Sequence, residues 1–60
     1  MAGFHYGDLV VLTDGPLASF RGTVDDIDAE GGTLRILVDV DGRTTPVEVE
    51  PRNVRLTGES

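Results

Sequence analysis

The chain has no cysteine, no lysine and no tryptophan. Without cysteine there is no disulfide, no thiolate metal site and no argument for an oxidising compartment. Without lysine, five arginines face eleven acids, and the formal net charge is −6. Nucleic-acid affinity rests mainly on neutralising phosphates with Lys and Arg. The domain alone is therefore expected to bind RNA or DNA poorly. No apolar run approaches the ~20 residues of a membrane span. The start, MAGFHYGDL, lacks the basic and long apolar stretches of a signal peptide. A cytoplasmic location is the expectation.

Catalytic equipment is equally sparse. Ser19 has no base in its neighbourhood, and the single histidine, His5, is distant in sequence. Asp25, Asp26, Asp28 and Glu30 crowd together but miss the spacing of a calcium loop. A carboxylate pair for acid–base work also needs a pocket, and a filled small barrel offers little room for one. The reading is not an enzyme, with no metal and no cofactor.

What is present is a period of two. Leu34, Ile36, Val38 and Val40 fall on one face, and Val47 and Val49 share a face with Glu48 and Glu50 opposite. Such alternation marks half-buried strands. Turn signals separate the runs at Asp14-Gly15-Pro16, Gly31-Gly32 and Asp41-Gly42. The pair Gly31-Gly32 can take the positive φ angles of a tight hairpin. Strands are predicted at about 9–13, 21–28, 33–41, 44–50 and 54–56, with a 3₁₀ turn at 51–54. Strands this short, with no helix to cover them, hide their edges best by closing into a barrel. The 60 residues make one domain, 1–60, with a frayed tail at 57–60.

The stretch TDGPLASFRGTV carries two glycines, a proline and an arginine. A phosphate loop would lead into a helix and supply a lysine. Here Gly22 leads into a strand pattern. The structural reading is that Gly15 and Pro16 set a corner, Phe20 caps the open barrel end, and Gly22 bends or bulges the second strand where another crosses closely.

Phe4 to Leu12, then Asp14-Gly15-Pro16-Leu17-Ala18-Ser19-Phe20, then Gly22-Thr23-Val24 resembles the KOW motif. The run Gly42-Arg43-Thr44-Thr45-Pro46-Val47-Glu48-Val49 is similar to the closing stretch of the C-terminal domain of the NusG transcription-factor family. The resemblance covers about Phe4 to Val54. It implies an all-β fold, a small five-stranded antiparallel SH3-like barrel. It also implies a protein-binding adaptor in transcription elongation, termination or antitermination, docking a NusE-type ribosomal protein or the termination factor Rho. The family's polymerase-gripping N-terminal domain is absent from these residues.

Carried over residue by residue, the resemblance implies contact through Phe4, Val40, Asp41, Gly42 and Arg43. Asp41 stands where the family has a large apolar anchor, so docking is expected to be weakened. Leu17 replaces a family Phe after Gly-Pro. Strand parity adds Leu37 as an apolar residue on the wet side, with Leu9 and Val11 outward if Val10 and Leu12 point in. Thr44 completes the candidate site. Asp39, Asp41, Glu48 and Glu50 form an acidic group suited to a basic protein surface, and Arg43 has these acids to pair with. The alternatives are a ribosome- or RNA-associated KOW domain, using a stripe of Arg21, Arg35, Arg43, Arg52 and Arg55, and a module that self-associates through its apolar outer face. A monomer is expected.

Overall fold

The computed structural model describes residues 3–57. The strands are β1 (Leu9–Leu12), β2 (Arg21–Asp28), β3 (Thr33–Val40), β4 (Arg43–Val49) and β5 (Val54–Leu56), with one 3₁₀ turn at Pro51–Asn53. They pair antiparallel in the order β4-β3-β2-β1-β5. The sheet curls into the five-stranded, SH3-like barrel that the alternation and the resemblance led us to expect. No helix among the described residues is long and apolar enough to cross a membrane.

Parity sets the inside. Val10, Leu12, Val24, Leu34, Ile36, Val38 and Val54 form the buried core, and no polar side chain among the described residues is buried with them. Val40, Val47 and Val49 pack at its margin. Between Val24 and Asp26 the register with β3 shifts. The bulge inserts Asp25, so Val24 and Ile27 both turn toward the core although they are three residues apart. The bulged Asp25 accepts from Arg35 Nε at 2.8 Å, with Nη2 at 2.7 Å. This bond, and then the charge of Asp25, push the guanidinium pKa above its ordinary value.

The β3–β4 connection is a two-residue hairpin, with Val40 paired to Arg43. Asp41 (φ 51°) and Gly42 (φ 78°) both sit in the left-handed region. That is the primed turn whose twist matches the flanking strands, and Asp-Gly is its preferred dipeptide. Gly42→Ala is expected to cost about 1–2 kcal/mol, because a Cβ is disfavoured at this φ. A lower urea midpoint with unchanged slope would register it. With Val40 and Arg43 as the hydrogen-bonded pair, alternate amides of β4 point to the open edge. Pro46 occupies one of those positions and has no amide to offer, which blunts the edge against further strand pairing.

Several local expectations change. Of Gly31-Gly32 only Gly32 has positive φ (75°), because Asp28 organises the turn. Its carboxylate accepts from the Gly31 amide at 2.9 Å, and its carbonyl accepts from Gly32 at 2.8 Å. Phe20, expected to cap the barrel, is 37% exposed, and the residue of this loop packed against the core is Leu17. Phe20 lies just before the start of β2, where Leu17 already covers the rim. Thr57, assigned to the frayed tail, donates to the Leu9 carbonyl at 2.9 Å and so prolongs the β1–β5 pairing. The rest of that tail, 58–60, lies outside the described residues.

Candidate functional site

The pairing registers place outward residues in rows across the strands. Leu9 is opposite Thr23, Thr23 opposite Leu37, and Leu37 opposite Pro46. Directly opposed residues in antiparallel strands share a face. One row beyond, Arg55 is opposite Val11 and Val11 opposite Arg21. Asp39, opposite Thr44, continues that line. Between the rows lies a shallow groove of about 460 Å³, lined by Leu9, Arg21, Gly22, Thr23, Leu37, Asp39 and Thr44. The groove is therefore apolar along Leu9, Thr23 and Leu37, with charge at Arg21 and Asp39.

Leu37 and Thr44, read from the sequence as binding residues, meet in this groove. Val40, Asp41, Gly42 and Arg43 form the adjoining hairpin corner. Asp41, Gly42, Arg43 and Thr44 are exposed, and Val40 is half-buried. Arg43 makes no ion pair among the described residues, against the expectation that a nearby acid would hold it. Phe4 stands apart. It lines a separate depression with His5, Tyr6, Ile27 and Ala29. Ile27 pairs with Leu34 at the start of β3, whereas Val40 ends it. Six residues of strand, about 20 Å, separate the two levels. The proposed acidic group is divided in the same way. Asp39 and Asp41 lie at the corner, while Glu48 lies across from Arg35, four strand residues or about 13 Å from Thr44.

Two residues outside the candidate set enter here. Leu9 is 61% exposed and forms one wall of the groove. Phe20 is at the same end as the corner, since Gly22, two residues on, pairs with Val38, two residues before Val40. Strand parity alone put Leu9 outside, but only the register shows that it meets Leu37. The arginine stripe is shorter than expected. Arg35 pairs with Asp25, and Arg52 with Glu50 at 2.7 Å. Arg21, Arg43 and Arg55 remain, with Arg21 and Arg55 about two strand spacings or 10 Å apart. No group of three His, Asp or Glu able to hold a metal occurs among the described residues.

No protein-family profile matches the chain. Among curated proteins, the transcription termination/antitermination protein NusG of Haemophilus influenzae is 49% identical over 47 residues, which are 78% of this chain and 25% of that protein. The NusG of Pasteurella multocida is 46% identical over 54 residues, 90% of this chain and 30% of that protein. Among solved structures, one of Thermotoga maritima NusG, reported for a domain interaction, matches with a TM-score of 0.84 and 35% identity, over 95% of this chain and 32% of the other. The chain thus spans a quarter to a third of the length of these relatives.

Proposed function

We propose, from the premise that this chain is a KOW domain related to the C-terminal region of NusG proteins, that it is a non-catalytic docking module of a transcription termination/antitermination factor. Its task is to bind a protein of the transcription or translation machinery in the cytoplasm, a NusE-type ribosomal protein or Rho. The observation that carries this reading is the joined surface of groove and corner. Leu9, Thr23 and Leu37 supply apolar area beside the exposed turn Val40–Thr44. Apolar centres with polar rims are how small domains recognise protein partners.

Asp41 tempers the affinity. A carboxylate pressed against an apolar pocket loses hydration without gaining a partner. It also serves the turn, since Asp and Asn tolerate the left-handed backbone better than most residues do. Asp41→Asn separates the two roles, because it keeps the turn and removes the charge. Calorimetric titration with a NusE-type ribosomal protein or with Rho is expected to show tighter binding by the variant, about three- to tenfold, or 0.7–1.4 kcal/mol. Unchanged or weaker binding to both would mean that Asp41 does not face the partner.

A further inference from the structure

The described carboxylates and arginines are unevenly placed. Toward the β2–β3 turn lie Asp8, Asp25, Asp26, Asp28, Glu30, Glu48 and Glu50, with Arg35 and Arg52. Seven negative charges less two positive leave −5 there, and both arginines are already paired with acids of the same group. Around the groove and corner, Asp14, Asp39 and Asp41 are balanced by Arg21, Arg43 and Arg55. The negative end is also where the aromatic residues Phe4, His5 and Tyr6 gather. With Ile27 and Ala29 they line a shallow depression of about 410 Å³. Tyr6 is 65% exposed, and the His5 side chain is 86% exposed. The His5 amide donates to Asp8 at 2.8 Å within this segment, and the Gly7 amide donates to the Val24 carbonyl at 2.9 Å, which ties the segment to the barrel. Asp26, Asp28 and Glu30 alternate along the chain with the two aliphatic lining residues.

We propose that this depression is a second docking site, and that its occupant is a basic, arginine-bearing protein segment. An arginine side chain would lie over the exposed ring of Tyr6, with its aliphatic stem on Ile27 and Ala29. Asp26 and Asp28 lie on the other face of β2 from Ile27, so they and Glu30 act on flanking cations through the negative potential of this end of the barrel rather than from the lining of the depression. An aromatic face attracts a guanidinium through its quadrupole, and it favours arginine over lysine because the planar group also stacks. The surrounding negative potential raises the local concentration of a basic segment and speeds its encounter. An acidic segment or a nucleic-acid phosphate would be repelled at the same place. The site lies about 20 Å of strand from the hairpin corner, so both surfaces can be occupied at once. The proposal therefore stands or falls separately from the docking role assigned to the groove.

The test is an NMR titration of the isotopically labelled 60-residue chain with hexa-arginine and with hexalysine peptides. Shifts are expected at Phe4, His5, Tyr6, Ile27 and Ala29, with hexa-arginine binding more tightly and both affinities falling as salt rises. Tyr6→Leu keeps apolar area at an exposed position outside the core. It should weaken hexa-arginine about threefold and leave hexalysine nearly unchanged, as expected for an exposed ring–cation contact. A second variant, Asp26→Asn with Glu30→Gln, should flatten the salt dependence for both peptides. Equal affinity for the two peptides with no effect of Tyr6→Leu would overturn the proposal, because charge alone would then explain the binding. So would shifts centred on Leu9 and Leu37, or none at about 1 mM peptide.

Discussion

Ile36→Ala is expected to bring the domain close to global unfolding. Ile36 is fully buried in β3, with Val24 opposite on one side and Val47 on the other. Truncating a buried isoleucine loses its transfer free energy and leaves a cavity, together about 2–5 kcal/mol. A chain of this length has only about 3–9 kcal/mol to lose. Collapse around the gap is restrained, because β3 is held by partners along both edges and the neighbouring side chains already belong to the same small core. Thermal unfolding followed by circular dichroism should show a midpoint at least about 10 °C lower. A fall of only a degree or two would mean that the core is not packed as described. Leu37→Ala, one residue along but on the outer face, serves as the comparison and should be far milder.

Gly22→Ala is the second large effect, and it arises from crowding rather than from a void. A Cβ built at Gly22 would come within 2.5 Å of Ile36 Cγ2 and 2.6 Å of the Leu37 carbonyl oxygen. The methyl can be relieved by rotating a side chain, but the oxygen belongs to a central strand. The two strands must separate locally, which disturbs the pairing of Gly22 with Val38 on one side and with Val10 on the other. Overpacking of this kind costs about 1–3 kcal/mol, and more where backbone has to move. The two substitutions share a contact, so they should not add. Ile36→Ala removes the Cγ2 that the new methyl meets, and the double variant should be less unstable than the sum of the singles. Full additivity in urea unfolding would contradict the close approach.

These two positions also show what could be read in advance and what could not. The alternation through Leu34, Ile36 and Val38 placed the core face of β3 from the sequence, because strand periodicity is local. Gly22 was assigned to a close strand crossing for the same kind of local reason, a glycine inside a strand pattern. The bulge at Asp25 was not legible. It depends on pairing with β3, and its partner Arg35 is ten residues away. The candidate site divided along the same line. Asp41-Gly42 declared its turn in two residues, and the corner came out as expected. Whether Phe4 joins that corner depends on register and barrel closure, which no short stretch encodes, and it lies instead beside Ile27. Leu9 and Leu37 each read as outward by parity, but their meeting across Thr23 is set by two registers at once.

Among the described residues, no ionisable group and no polar side chain is buried. The proposed docking role rests on the outer surface, in the groove and the hairpin corner beside it. The most direct measurement is chemical-shift mapping of the labelled domain during titration with a NusE-type ribosomal protein and, separately, with Rho. Saturable shifts are expected with at least one of them, concentrated at Leu9, Thr23, Leu37 and Val40 to Thr44, and small elsewhere. Full titration of both proteins with the groove and corner unmoved would contradict the docking role.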